Sequence, residues 1–197
     1  MAQCPTLKTE RLHLSALVMS DADAVFAYAS KPEVARFMTW ARHESIDDAV
    51  SFLQNVSEAP STQYDWGIRL APSGDVVGAL LFSFRTESEA EIHYTLDEPY
   101  WGRGLVTEAC FGVLEWGFSG FPMLERVVSA AVTVNRGSTR VMEKLGMTPA
   151  GSYEEAWAKD GATHDMSVYE ISRTTWEQQE PRRTRSADST TERGTKS

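Results

Sequence analysis

The stretch EAEIHYTLDEPYWGRGLVTEA, residues 89–109, contains the pattern that decides the fold. Residues 89–96 alternate between polar and apolar side chains, which is typical of a strand with one buried face. Asp97, Glu98 and Pro99 then predict the end of that strand. After Gly104 the apolar side chains recur at helical spacing as far as Phe118. A strand therefore leads through a short, glycine-containing turn directly into a helix.

The alternation divides the side chains of this strand between two faces. One face is apolar and the other is polar: Ala90, Ile92, Tyr94 and Leu96 against Glu89, Glu91, His93 and Thr95. A partly buried acidic face attracts an ammonium group and can accept its proton, which makes Glu91 and His93 candidate general bases. The same alternation is also produced by a half-exposed sheet whose polar residues are merely solvated.

Gly102 and Gly104 lie where backbone amides point outward at the start of the helix. Free amides and the positive end of the helix dipole bind phosphate, and glycine allows the ligand to approach closely. A tight turn without a ligand remains the alternative. The turn is not a P-loop, since no Gly-x-x-x-x-Gly-Lys-Ser/Thr string occurs in the chain. It is not the dinucleotide fingerprint either, because Thr107 stands where the third glycine would be.

Working outward, the rest of the chain alternates between strand and helix patterns in the order βααβββαβαββ. Strands are predicted at 11–17, 64–71, 76–84, 89–96, 125–134, 147–157 and 163–172, and helices at 20–31, 45–59, 104–118 and 135–145. No internal linker or repeat is present, so residues 1–176 are predicted to form one α/β (α+β) domain. Residues 177–197 have almost no apolar side chains and are predicted to be a disordered polar tail.

Composition narrows the possible functions. The chain has 197 residues, of which 42% are hydrophobic and 24% charged, as in a globular domain. Its formal charge of -9 disfavours nucleic acid and anionic membrane surfaces and favours small cationic partners. No apolar run is long enough to span a bilayer, so the cytoplasm is the expected location. Cys4 and Cys110 predict neither a disulfide framework nor a metal site.

Three motifs in this order resemble a known family. WGRGLVTEA at 101–109 follows a strand, NRGSTRVMEKLGM stands at 135–147, and TERLHL stands at 9–14. Together they are similar to the GNAT superfamily of acyl-CoA-dependent N-acyltransferases, and most similar to the branch of ribosomal-protein N-terminal acetyltransferases. The resemblance covers about residues 6–173. It implies a GNAT fold, in which a mixed, mostly antiparallel central sheet is flanked by helices, and acetyl-CoA as the co-substrate, without a metal.

The resemblance also implies a set of coenzyme-binding residues. The family's loop pattern Arg/Gln-x-x-Gly-x-Gly/Ala is read here from Trp101 to Val106, and Val106 departs from the Gly/Ala of the last place. In the family, backbone amides of this loop hold the pyrophosphate of the coenzyme. An amide of the preceding strand, which ends here at Leu96, binds the thioester carbonyl. The motif asparagine, here Asn135, binds the pantetheine arm. The implied set is Leu96, Trp101, Gly102, Arg103, Gly104, Leu105, Val106, Thr107 and Asn135.

Members of the family differ in the residue that donates the proton, so the resemblance implies alternatives at this point. Many members use a tyrosine seven residues after the motif asparagine, and Met142 stands there in this chain. Members of the ribosomal-protein branch use the serine three residues after the asparagine, which is Ser138. A hydroxyl in the first turn of a helix is also a simple capping or solvated group. The segments that surround the acceptor site in the family hold Phe37, Met38, Trp40, Trp66 and Trp157, which are alternatively packing residues.

These observations predict an enzyme that acetylates a primary amine by direct attack on acetyl-CoA, as a monomer or a homodimer. The acceptor is either a small molecule or a protein N-terminus, and the fold alone does not choose between them. The alternative from another class is an acyl-CoA-binding sensor or interaction module without turnover, which Val106 and Met142 favour.

Overall fold

The structure is a computed structural model that describes residues 4–159 and 161–179. Its centre is one eight-stranded sheet in the order β1-β2-β3-β4-β5-β6-β8-β7. The strands are β1 (Leu7–Lys8), β2 (Leu12–Ala16), β3 (Gln63–Leu70), β4 (Val76–Phe84), β5 (Glu89–Leu96), β6 (Arg126–Val132), β7 (Thr148–Lys159) and β8 (Ala162–Ser172). Neighbouring strands are antiparallel except for β5 and β6, which are parallel.

Helices cover both faces of this sheet. They are α1 (Ala22–Ala29), α2 (Pro32–Ala35), α3 (Ile46–Ser57), α4 (Leu105–Gly120), α5 (Arg136–Lys144) and α6 (Arg173–Gln178). The main core lies between the sheet and α4, α5 and α6, where Met142 of α5 and Trp176 of α6 are fully buried. A smaller core joins α1 and α3 to the opposite face, next to Ala79 of β4. The predicted mixed, mostly antiparallel sheet flanked by helices is confirmed.

The predicted order of elements is confirmed, with three short additions. The β1 strand, the α2 helix and the α6 helix were not predicted from the sequence. Pro32, read as a helix stop, instead occupies the first turn of α2, where its missing N–H is no loss. The α6 helix runs through Gln178, slightly beyond the predicted domain boundary at Trp176. The predicted disordered tail otherwise lies outside the described residues from 180 onward.

One aromatic residue assigned to the acceptor site belongs to the core instead. Trp66 is 0% exposed, and its indole Nε1 donates to the carbonyl of Pro5 at 2.7 Å. Its ring stacks on Tyr64 and meets Trp116 edge-on, with centroid separations of 6.0 and 5.2 Å. For Trp66 the packing alternative therefore holds, because its side chain points to the face of β3 that packs against α4.

The two faces predicted for β5 are confirmed. Ala90, Ile92 and Leu96 are buried in the main core and Tyr94 packs against it, while Thr95 turns to the opposite face. At the end of the strand, β4 approaches unusually closely. A Cβ atom on Gly78 would lie 2.3 Å from the carbonyl oxygen of Thr95 and 3.0 Å from the Cα of Leu96. Only glycine therefore lets β4 hold the end of β5 in this position.

No helix in the described ranges is long and apolar enough to cross a membrane. Within the same ranges, no group of three or more His, Cys, Asp or Glu side chains is arranged to hold a metal ion.

The contact at Gly78 gives the first testable prediction. Gly78→Ala forces the added methyl group into the backbone of β5, so we expect a loss of about 1–3 kcal/mol in the free energy of unfolding. The measurement is urea denaturation. Gly151→Ala on β7 is the matched control, because its Cβ meets nothing within 4 Å, and we expect a change within about 0.5 kcal/mol. Equal unfolding midpoints for the two variants would contradict the close approach.

Candidate active site

The site is built around a gap between two strands. Backbone pairing of β5 with β6 is confined to Glu89 with Arg126, Ala90 with Val127, and Glu91 with Val128. Beyond these pairs the strands part, and the Ser129 hydroxyl donates to the carbonyl of Ile92 at 2.9 Å. The sequence-based expectation that the strand ending at Leu96 leaves its neighbour is therefore matched by the geometry.

One amide at the end of β5 faces this gap. The amide of Asp97 donates to the carbonyl of Val77 at 2.7 Å, so Asp97 faces β4. Because backbone groups alternate in direction along an antiparallel ladder, the N–H and C=O groups of Leu96 point the other way, towards β6. The Leu96 carbonyl accepts a hydrogen bond from the indole Nε1 of Trp101 at 2.7 Å. The Leu96 N–H is therefore directed into the gap.

The turn after β5 presents a row of backbone donors. Gly102 and Gly104 have φ angles of +74° and +77°, in the left-handed region that favours glycine. Gly104 caps α4 without a side-chain hydrogen bond. Across residues 4–159 and 161–179, no oxygen accepts from the backbone amides of residues 102–107. These amides and the positive end of the helix dipole form an anion-binding turn.

The side chains of this turn leave the amides accessible. Leu105 is buried in the main core and Val106 packs against it, so the valine at the place of Gly/Ala points into the protein. Thr107 is half-buried and follows on the first turn of α4. The Arg103 guanidinium lies over the ring of Tyr100, 5.4 Å from its centroid, on the exposed side of the turn.

A clamp from the N-terminal segment fixes the turn. The Arg11 guanidinium donates to the carbonyl of Arg103 at 3.0 Å and to a Glu108 carboxylate oxygen at 2.6 Å. Glu108 also accepts from the Thr9 hydroxyl at 2.5 Å. Burial alone would raise the pKa of Glu108, but these hydrogen bonds and the charge of Arg11 outweigh it and lower the pKa. The carboxylate is therefore held in its charged form and anchors the β1–β2 turn to α4.

Across the gap, α5 presents Asn135 and Ser138. The Asn135 side-chain oxygen accepts from the amide of Ser138 at 3.3 Å, which is the expected helix cap. The Tyr94 hydroxyl of β5 donates to the carbonyl of Ser138 at 3.0 Å and lies 3.0 Å from its Oγ. Burial, followed by the charge of Cys110, raises the pKa of Tyr94. Tyr94 was not selected from the sequence because it reads as an ordinary core aromatic.

Met142, which stands where many family members have a tyrosine, has no group that can donate a proton. Met142 is 0% exposed and belongs to the main core. The hydroxyl groups beside the gap are instead those of Tyr94 on β5 and Ser138 on α5, which lie 3.0 Å apart.

The two bases predicted on β5 contact each other but lie beside the paired part of the strand. Glu91 accepts from His93 Nε2 at 2.9 Å and from Arg85 at 2.6 Å. Burial would raise the pKa of Glu91, but the hydrogen bonds and charges of His93 and Arg85 lower it overall. A carboxylate bound to two cation-forming groups is a poor proton acceptor, so the geometry does not support Glu91 as the base. His93 follows the last pair with β6 and is half-exposed.

A second histidine, which was not predicted from the sequence, lies near the C-terminal end of β5. His43 is 9% exposed and packs between Trp40 and Phe52, at centroid separations of 5.5 and 6.4 Å. Its Nδ1 atom is buried and has no hydrogen-bond partner in the described part of the chain. It lines a cavity of about 20 Å³ together with Thr95, the neighbour of Leu96. Burial lowers the pKa of His43, against a smaller opposing effect of Asp48.

Next to this cavity is an open cleft of about 510 Å³ between the α2–α3 connection and β7. Trp40 and Trp157 line it, as the sequence predicted for the acceptor region. Phe37 and Met38 are not among the residues that line it, which favours the packing alternative for them. Phe37 instead packs under the Arg36 guanidinium, and the carbonyl of Met38 accepts from Lys159.

Similar proteins are consistent with this geometry. Residues 11–148 match the family described as the acetyltransferase (GNAT) domain. The uncharacterized N-acetyltransferase YoaA of Bacillus subtilis (strain 168) is 30% identical over 171 residues, covering 85% of this chain and 96% of YoaA.

Solved structures share the fold. An acetyltransferase (GNAT family) from Bacillus anthracis has a TM-score of 0.79 at 24% identity, covering 86% of this chain and 99% of its own. The ribosomal-protein-S5-alanine acetyltransferase from Vibrio fischeri has a TM-score of 0.74 at 19% identity, with 87% and 98% covered. The microcin C7 self-immunity acetyltransferase MccE, in complex with acetyl-CoA and AMP, has a TM-score of 0.72 at 22% identity, with 83% and 93% covered. From its motifs, its fold and these matches, the chain belongs to the GNAT family and is an N-acetyltransferase.

Proposed function

We propose that this protein transfers the acetyl group of acetyl-CoA directly to a primary amine, without a covalent enzyme intermediate. The observation that carries the proposal is the amide of Leu96, which faces the gap between β5 and β6 beside the free amides of residues 102–107. One region thus offers an anion-binding turn and, a short distance along the chain, a donor for a carbonyl oxygen.

The residues of the turn fit the coenzyme. Amides from Gly102 to Thr107 would hold its pyrophosphate, and the Arg103 guanidinium is free to add positive charge on the same side. The Asn135 side chain caps α5 through its oxygen, which leaves its NH₂ group to donate to the pantetheine arm. The coenzyme supplies an acetyl group activated as a thioester. The presence of acetyl-CoA in the MccE structure supports this assignment.

The Leu96 N–H is the proposed oxyanion donor. A donor aimed at a carbonyl oxygen stabilises the negative charge that develops when the amine attacks. Such a donor contributes roughly 3 kcal/mol to the transition state in enzymes where one has been removed. The hydrogen bond from Trp101 to the Leu96 carbonyl fixes the orientation of this residue before the substrates bind.

His43 is the proposed general base. An attacking amine must lose a proton, and a neutral imidazole accepts one. Burial keeps His43 neutral at neutral pH because it lowers the pKa, and its Nδ1 atom is uncommitted among the described residues. His93, half-exposed and bonded to Glu91, is the second candidate. His93 belongs to β5 and His43 to the connection before α3, so the two histidines can be tested separately.

Ser138 is the proposed proton donor for the departing thiolate, and Tyr94 positions it. With the Tyr94 hydroxyl donating to the carbonyl of Ser138, the Ser138 hydroxyl can donate to Tyr94 in the resting site. The raised pKa of Tyr94 keeps its phenol protonated, so the pair retains both protons at neutral pH. In this proposal the Tyr94–Ser138 pair replaces the helix tyrosine that takes part in the proton chemistry of many other members.

The acceptor remains part of the proposal, as a small amine or a protein N-terminus. Thiol release from acetyl-CoA tests the proposed reaction: release with any amine of a broad panel supports direct transfer to that amine, whereas acetyl-CoA binding without release by any of them contradicts it. The cytoplasm is the proposed location, because Cys4 and Cys110 are both free thiols, the state that a reducing compartment maintains.

The anion-binding turn is tested with Gly104→Val. A branched side chain at φ +77° strains the backbone and redirects the amides, so we expect acetyl-CoA affinity to fall at least tenfold, measured by calorimetry. Gly120→Val, at the opposite end of the same helix and with an open Cβ position, is the control and should bind normally. Unchanged affinity in Gly104→Val would remove the turn from the coenzyme site.

The base is tested through the pH dependence of kcat/KM. Protonated His43 cannot accept a proton, so the wild-type activity should fall as pH drops through its lowered pKa, below the ordinary value of 6.5. His43→Phe preserves the aromatic packing and should lower kcat/KM by about 100-fold or more, with loss of this acidic limb. Glu91→Gln and His93→Ala should retain the limb. A normal profile in His43→Phe, with a flattened one in His93→Ala, would assign the base to His93.

The Tyr94–Ser138 pair is tested by combining variants. Tyr94→Phe and Ser138→Ala should each lower kcat about tenfold while the KM for acetyl-CoA stays within about twofold. Because the two hydroxyls act as a unit, the double variant should be no slower than the worse single variant. Multiplying effects would show that the hydroxyls act independently, and wild-type kcat in both singles would exclude the pair.

A further inference from the structure

The cleft of about 510 Å³ differs in character from the protein around it. Among the described residues, Arg36, Arg42 and Lys159 line it together with one acidic side chain, Glu44, although the whole chain has a formal charge of -9. A locally positive cleft on an acidic protein favours an anionic group on the bound molecule. The overall charge favoured a cationic partner, whereas the residues that line the cleft favour an anionic one.

The three cations have different roles. The Lys159 ammonium donates to the carbonyls of Ala35, Met38 and Trp40 at 2.6, 2.7 and 2.9 Å. It therefore fastens β7 to the α2–α3 connection and fixes the walls of the cleft before a ligand binds, which lowers the entropic cost of binding.

The two arginines are available to a ligand. The nearest carboxylate to Arg36 is that of Glu33, at 3.9 Å with both side chains mostly exposed, which makes a weak ion pair. Arg42 makes no ion pair with any residue in the described ranges. The planar guanidinium binds carboxylate and phosphate through two parallel hydrogen bonds.

The cleft also offers aromatic surface and leads to the proposed base. Trp40 and Trp157 come from the α2–α3 connection and from β7. Indole rings bind flat apolar groups by stacking and burial. Trp40 also lines the small cavity of His43 and Thr95, so the cleft and this cavity share one wall. The volume is in the range of small-molecule sites, which span roughly 300–1,000 Å³.

We propose that this cleft is the acceptor site and that the acceptor is a small amine with a flat apolar body and an anionic group, a carboxylate or a phosphate. The anionic group binds Arg36 and Arg42, the flat body contacts Trp40 and Trp157, and the amine extends towards His43. The inference rests on the proposed function, whose acceptor it defines.

The test compares amines in pairs that differ by one anionic group. Tyramine O-phosphate is compared with tyramine, and phenylalanine with phenylalanine amide, by calorimetric titration of the full chain. We expect the anionic member of at least one pair to bind at least tenfold more tightly. In the double variant Arg36→Gln and Arg42→Gln this preference should fall to within about twofold. Lys8→Gln on β1 is the control: it removes one positive charge outside the cleft and should preserve the preference for the anionic amine.

Equal affinity within both pairs, no binding of any of the four amines, or a preference that survives the double variant would overturn the proposal. Thiol release from acetyl-CoA is measured separately with the same amines and with spermidine. Tight binding of anionic amines without release by any amine would leave the acceptor class standing and reject the transferase mechanism. Release with spermidine or the neutral members, together with equal binding within the pairs, would keep the transferase and reject the acceptor class.

Discussion

The parting of β5 from β6 is the constraint on which the site depends. A parallel pair that continued beyond Glu91 and Val128 would use the amide of Leu96 in the ladder and leave nothing for a substrate. The close approach at Gly78 holds the end of β5 against β4 instead. The end of β5 is thus hydrogen-bonded to β4 on one edge and unpaired on the edge towards β6. The Tyr94 hydroxyl reaches across this opening to Ser138 of α5.

Much of the fold followed from local pattern. The alternation along residues 89–96 assigned both faces of β5 correctly, and the glycines after it marked the start of α4, because strand and helix periodicities are properties of adjacent residues. Asn135 likewise signalled the start of α5. The turn proposed to bind the coenzyme was therefore visible in the sequence, whereas the packing of Val106 against the main core was not.

Contacts between residues from distant parts of the chain could not be predicted from the sequence. His43 follows no motif, and only the packing of Trp40 and Phe52 around it reveals its burial. Trp66 and Trp157 look alike in sequence, yet one fills the core and the other lines a cleft. Net charge favoured a cationic partner, but it averages over the whole surface, whereas a ligand meets only the few charges that the fold assembles around it.

The hydrogen bond between the Trp101 indole and the Leu96 carbonyl connects the turn after β5 to the residue whose N–H faces the gap. In the proposed mechanism the turn that holds the diphosphate also orients the neighbouring donor, so coenzyme affinity and reaction rate would be coupled. Evolution of this enzyme towards a bulkier acyl chain would consequently have to leave the indole in place and reshape the opposite wall of the gap.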